Sequence, residues 1–543
     1  MVKRYTSGVM GAVPTNSYGI LSGGMYGLAQ QAQYNSTTQW PQTAPPITYL
    51  VVGGGGGGGR NNGGGGGAGG VLTNISSTSI FLAKGQTYTV VVGAGGTGQN
   101  TNSVQGNNGT NSILLGVGKN TSTTNTYAGF FSGTVAKSAT KYYCTLPANT
   151  AFSLGSGNFT IEGWFYVSGA GSQYPVGNWR TVVSTRATNS TSGTTAFACG
   201  IDPNGGVYFY TNTLEVNTGV DLGLLNKWAH IAWVRNGTTI TVYVNGVSVG
   251  TGTSTDNLTV NTMSIGGNLD GSESWEGLMS NLRIVKGVAV YTGNFAVPNM
   301  PLTSTQSAGT NISAITAGQC SLLTLQNSTI IDNSGNNFVV TQVGTIFVLP
   351  YGNNYVLINA IGGGVGGGYG AAPANGGSGG GAGPGAANAS GRPGQGNDGG
   401  TAVASTGSPY AAAGGGGAGA GASAATSSSG TIGGIGVYST LAGTFLAGGG
   451  SGCGYTTAKN PSDGGGTAAG LTSGDGSNGT ANTGGGGGGA AYNGTGGTGG
   501  SGIVIISFPS FYANATATTG SPTVTQSGGN TIYKFTGSGS ITF

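Results

Sequence analysis

Few residues in this chain have side chains able to act as nucleophile, acid, base or metal ligand. There is one histidine, His230, and four cysteines, Cys144, Cys199, Cys320 and Cys453. Any Ser-His-Asp or Cys-His system would have to use His230. That residue lies between Trp228 and Trp233 in an apolar, strand-like run, the setting of a packed core side chain. No cysteine forms a C-x-x-C pair, and four in 543 residues indicate neither a disulfide framework nor a zinc site. The densest acidic group is Asp270, Glu273 and Glu276. Glycoside hydrolysis needs two carboxylates flanking one bond. Residues three apart in a strand point to opposite faces, so Glu273 and Glu276 should diverge and act as solvated charges. Asp202, Asp256, Asp270 and Asp332 stand in turn-like contexts where carboxylate and carbonyl oxygens could hold a rim Ca²⁺. A single Asp in a turn is ordinarily just a turn residue, so the metal stays an open question and no other cofactor is expected.

Recognition chemistry is better represented. Tyr174 and Trp179 fall in SGAGSQYPVGNW (Ser168–Trp179), and Trp275 falls in GNLDGSESWEG (Gly267–Gly277). An aromatic ring can stack on a sugar face while nearby amides and hydroxyls bond its hydroxyl groups. These three residues are the candidate ligand-binding set. Trp164, Trp228 and Trp233 occupy strand-like runs and read as core.

The composition narrows the function classes. Glycine contributes 118 of 543 residues, and charged residues only 5% against a usual ~25%. Sixteen basic residues dispersed along the chain, with net charge +4, make no nucleic-acid footprint. Collagen's three-residue glycine period is absent, and so is the high net charge of charge-driven disorder. No apolar run is long enough to span a membrane. The opening MVKRYTSGVMGAVPTNSYG lacks the apolar run of a signal peptide, so the expectation is that the protein folds where it is made or leaves by a route that this sequence does not encode.

Glycine and charge divide the chain. Residues 361–500 hold 54 Gly and five charges, whereas residues 127–345 hold 28 Gly, 17 charges and five of the six Trp. The glycine-rich part repeats one motif, a short apolar strand running into glycines: Tyr49–Gly59, Tyr88–Gly98 and Tyr355–Gly364, closing with Gly499–Pro509. Glycine costs ~0.5–1 kcal/mol relative to Ala in regular structure. Ordered glycine runs therefore need dense backbone hydrogen bonding. Polyproline II suits this, since its backbone groups point outward and, without Cβ atoms, such helices can pack closely.

The middle segment alternates in the manner of strands. FTIEGWFYV puts Phe159, Ile161, Gly163, Phe165 and Val167 on one face, and Asn236-Gly237 and Asn245-Gly246 signal hairpins. Short strands at this spacing imply a sandwich of two antiparallel sheets. Tyr127–Val167, Lys227–Val247, Glu276–Pro298 and Cys320–Gly344 resemble, in order, the laminin-G-like, concanavalin-type jelly rolls common in bacteriophage structural proteins. The glycine-rich frame resembles a module of virion appendages of marine and cyanobacterial phages. Because SILLGVG (Ser112–Gly118) leads into the jelly roll and the frame resumes at Tyr355, the jelly roll reads as an insertion.

The expected fold class is therefore all-β: a laminin-G-like jelly-roll sandwich inserted into a glycine-rich domain of short strands and polyproline-II-type glycine helices. The expected divisions are an attachment segment at 1–46, first glycine part at 47–126, jelly roll at 127–345, second glycine part at 346–509 and a small β module at 510–543. The resemblance implies a non-enzymatic virion protein, made in the host cytoplasm and carried on the particle surface, a tail fibre or adhesin bound to a host-surface glycan through the jelly roll. The alternative is a capsid-attached fibre or decoration protein with a structural role only. It further implies a homo-oligomer, a trimer by analogy, joined to other virion proteins through the N-terminal segment, with no nucleic-acid partner.

Overall fold

The computed structural model describes residues 45–75, 80–82, 85–101, 105–117, 127–132, 141–168, 179–189, 193–350, 355–402, 410–426, 429–454, 461, 463–470 and 473–543. The described residues contain β-strands, two short 3-10 turns and no α-helix. Two antiparallel sheets form the jelly roll. One has the order Leu214–Asn217, Val207–Tyr210, Ala198–Ile201, Arg180–Ser184, Met263–Ile265, Tyr143–Leu146, Thr341–Val343. The other runs Val247–Thr253, Thr239–Val244, Trp228–Asn236, Phe159–Val167, Glu276–Lys286, Tyr127–Ser132, Phe347–Pro350, with Cys320–Thr324 also paired to Glu276–Lys286. Alternation places Phe159, Ile161, Phe165 and Val167 in the core between the sheets, with Trp233, Val183 and Phe209.

The two Asn-Gly signals resolve differently. Val244 pairs with Val247 across Asn245-Gly246, both at positive φ. The first hairpin is displaced by one residue: Asn236 pairs with Thr239, so its loop is Gly237-Thr238, with φ +62° at Gly237.

The frame strands form a second sandwich. Its first sheet runs Val71–Thr73, Pro46–Val52, Ile503–Pro509, Asn530–Phe535, Thr523–Ser527. Its second runs Tyr355–Ala360, Ser112–Val117, Thr87–Val91, Gly539–Thr542, Ala517–Thr519. Ile47, Val51, Val504, Ile506 and Phe535 pack between them against Tyr88, Leu114, Ile541 and Phe543. The last segment, expected as a separate module, thus contributes strands to both frame sheets.

The glycine runs form a hydrogen-bonded array beyond these strands. In Gly53–Gly59, residues 53, 56 and 59 donate to the carbonyls of Gly70, Gly67 and Gly64. Gly54 and Gly57 donate to Thr110 and Asn107, and Gly55 and Gly58 to Gly500 and Gly497, all at 2.8–3.1 Å. The carbonyls of Gly54 and Gly57 accept from Gly363 and Gly366, and those of Gly56 and Gly59 from Gly487 and Ala490. Partners recur every third residue, which is the polyproline II period. A Cβ on Gly55 would fall well inside contact distance of the Gly485 carbonyl. These lateral bonds close within a single chain.

The jelly roll is inserted between two adjacent frame strands. Ser112–Val117 and Tyr355–Ala360 pair directly, Ser112 opposite Ala360 and Val117 opposite Tyr355. The strand Phe347–Pro350, past the border set at 345, pairs with Tyr127–Ser132 in the jelly-roll sheet. Ile113 and Leu115 of the frame pack on Ala128, Phe130, Leu278 and Leu349 of the jelly roll.

Candidate functional site

The outer face of the seven-stranded sheet gathers aromatic and polar side chains. Along Val207–Tyr210, Val207 and Phe209 enter the core, so Tyr208 and Tyr210 lie on the opposite face, where Tyr208 is covered over and Tyr210 is half-buried. On the neighbouring strand Gly200 pairs with both Tyr208 and Thr181, and the Thr181 hydroxyl meets the Tyr208 hydroxyl at 2.8 Å. Trp179 sets its half-buried ring against Tyr208, edge to face at 4.7 Å. Arg186 lies over the Tyr210 ring, 4.5 Å from its centroid.

The loop before Glu276 completes the site. Its Glu273 has φ +53°, and its backbone carbonyl accepts from Thr181 N–H. The Glu273 carboxylate accepts from Arg186 at 3.2 Å and from the Asn268 amide at 3.0 Å. The Arg186 charge is thereby neutralised within the site. What remains accessible is two half-buried aromatic rings, Trp179 and Tyr210, beside the half-buried Glu273 carboxylate; the Asn268 amide and the Tyr208 and Thr181 hydroxyls are buried beneath them. That set can stack on a sugar face and accept bonds from its hydroxyls.

The three residues singled out by sequence separate. Trp179 lies in this site. Tyr174 falls outside the described residues. Trp275 is a correction: it is 0% exposed, packed on Phe165 at 5.7 Å in the jelly-roll core. Its backbone N–H donates to the Gly266 carbonyl. Tyr208, Tyr210, Arg186 and Asn268 were missed. The signal for the two tyrosines was the outward half of the alternation in VYFY, beside the core Phe209; no spacing marked Arg186 or Asn268.

Glu273 and Glu276 do diverge, but they are not the solvated charges expected: both are largely covered and ion-paired. Glu273 pairs with Arg186, while Glu276 pairs with Arg392 of the frame at 2.9 Å. The turn aspartates cap their own loops. Asp202 accepts from the N–H groups of Asn204 and Gly206, Asp332 from Leu323, Ser334 and Phe338, and Asp270 from Ser272. Asp256 and Glu215 both contact the Thr211 hydroxyl, at 2.6 and 2.7 Å. No group of three His, Cys, Asp or Glu suited to a metal occurs among the described residues.

His230 is 1% exposed and belongs to a buried network. Its Nε2 lies 3.2 Å from Glu162, which also accepts from Arg283 and from the Tyr291 hydroxyl at 2.6 Å. Burial alone would push the Glu162 carboxyl up, but Arg283, His230 and Tyr291 outweigh it and hold it well below the usual carboxylate range. The segment carrying Val290, Tyr291 and Ile315 covers this network, so no substrate reaches it. The four thiols are buried and free, and burial pushes Cys144 and Cys453 up to about 12, which removes them as nucleophiles.

Residues 137–289 match the family model of the concanavalin A-like lectin/glucanases superfamily, and residues 303–509 match that of a glycine-rich domain. No curated protein matches the chain. Among solved structures, the chain is similar to a putative carbohydrate binding protein from Bacteroides ovatus, at 17% identity and TM-score 0.28, over 44% of this chain and 69% of that one. It is also similar to a heptameric SAP-like pentraxin from Limulus polyphemus, at 15% identity and TM-score 0.24, over 40% and 95%. Domains LG4-5 of the mouse laminin alpha1 chain give 17% identity and TM-score 0.21, over 30% and 41%. The chain thus carries a concanavalin A-like domain and a glycine-rich domain, together an all-β protein.

Proposed function

We propose that this is a non-enzymatic attachment protein of a virus particle, whose jelly roll binds neutral host-surface glycans and whose glycine frame holds that domain rigidly outward. The observation that carries the reading is the outer face on which the half-buried rings of Trp179 and Tyr210 and the Arg186–Glu273 pair converge, with Asn268 buried behind Glu273. Its charges cancel locally, which suits an uncharged ligand. Glu273 and Glu276 hold separate arginines instead of flanking one bond, which supports binding without hydrolysis. The virion setting rests on the resemblance of the jelly roll and the frame to phage appendage modules.

Glycan arrays with the purified chain test the binding. Trp179→Ala should weaken binding by ~0.5–1.5 kcal/mol, the worth of one aromatic contact, or roughly two- to tenfold. Binding should change little between low and physiological salt, since no charge steers the ligand. If Trp179→Ala particles adsorb to cells as the wild type does, the jelly roll is instead a structural decoration.

A further inference from the structure

The seam between jelly roll and frame holds a partly open cavity of about 50 Å³. Tyr166 and Ser168 line it from the jelly roll, and Leu72, Leu357 and Asn359 from the frame. Ile358 enters the frame core, so Leu357 and Asn359, on the opposite face of that strand, turn toward the jelly roll. Asn359 is 7% exposed, yet neither its amide nitrogen nor its amide oxygen has a hydrogen-bond partner. The Ser168 hydroxyl, on a residue equally buried, has none either. Native interiors leave few such groups unpaired, and here several unpaired atoms share one cavity. The charged wall is neutral overall, because Glu276 and Arg392 pair across the seam.

We propose that this cavity binds an acetamido group. The space admits about three to five water-sized units at roughly 10–15 Å³ each, and an acetamido group has four non-hydrogen atoms. Its N–H and C=O complement the Asn359 carboxamide, which presents one acceptor and one donor group. Its methyl faces Leu72 and Leu357, and Ser168 supplies a further hydrogen bond. An anion would meet Glu276 and a cation would meet Arg392, so a neutral group is selected. The group has two sources, a small free amide or an N-acetylated sugar. The site is separate from the Trp179 face and does not rest on it.

Melting and titration of the full chain with acetamide, N-acetylglucosamine and glucose test the assignment. Acetamide should raise the melting temperature and glucose should not. A rise with N-acetylglucosamine as well identifies the sugar as a source, and a rise with acetamide alone identifies small amides. Asn359→Leu removes the unpaired amide at similar volume, so it should fold and lose the response. Ser168→Ala should weaken binding about tenfold and serves if Asn359→Leu does not fold. Trp179→Ala should leave the response unchanged. The proposal is overturned if acetamide and N-acetylglucosamine both fail to shift melting, which leaves a water-filled seam. A response matched by glucose, or one that survives in Asn359→Leu, also overturns it.

Discussion

Glu162 shows what one buried charge does in this molecule. It holds Arg283, His230 and Tyr291 together beneath the segment that covers the eight-stranded sheet. Removing one partner of a buried ion pair leaves the other uncompensated, so Glu162→Gln should destabilise the chain by about 3–5 kcal/mol in urea unfolding. The same network sets an acid limit. A carboxyl whose folded pKa is depressed contributes stability that is complete above its unfolded value of 4.5 and is lost as pH falls toward the folded value, about 2. Melting temperature should therefore fall between those two pH values in the wild type, and less steeply in Glu162→Gln. The sequence placed Glu162 on the face opposite Phe159 and Ile161, but the cover that buries it comes from residues more than a hundred positions away. Trp179 and Trp275 illustrate the same limit: both sit in polar loops, and only the loop's turn at Glu273 sends one indole inward.

The strands were legible because Val, Ile, Tyr and Phe alternate or cluster between glycines, and that pattern has a physical cause in the pleat. Which glycine bonds to which was not legible, since identical residues carry no register. Packing supplies it: Gly55 approaches the Gly485 carbonyl so closely that a methyl has no room. Gly55→Ala should cost at least the ~1–3 kcal/mol of an overpacked core. Gly537→Ala, where an added Cβ meets nothing, should be near neutral in the same melt. Equal effects at the two sites would mean that glycine acts here through backbone entropy and not through close approach.

The two sandwiches and the glycine array form a closed network within one chain. Amides of Gly54–Gly58 should therefore exchange slowly with deuterium even at dilutions where any oligomer has dissociated. The insertion point allows a stricter test. Val117 and Tyr355 face each other across adjacent strands, so joining them through Asn-Gly in place of the jelly roll should give a folded frame. That shortened chain should melt cooperatively while exposing Ile113 and Leu115, and so should be less soluble than the parent. The insertion could be foreseen because the apolar motif stops at Ser112–Gly118 and resumes at Tyr355. The seam contacts could not, because Phe130 and Leu278 read as ordinary strand residues. This doorway of two paired strands also has an evolutionary consequence. A lineage can exchange the inserted jelly roll by recombination at one hairpin, leaving every glycine contact of the frame intact, so inserted domains should diversify faster than the scaffold that carries them.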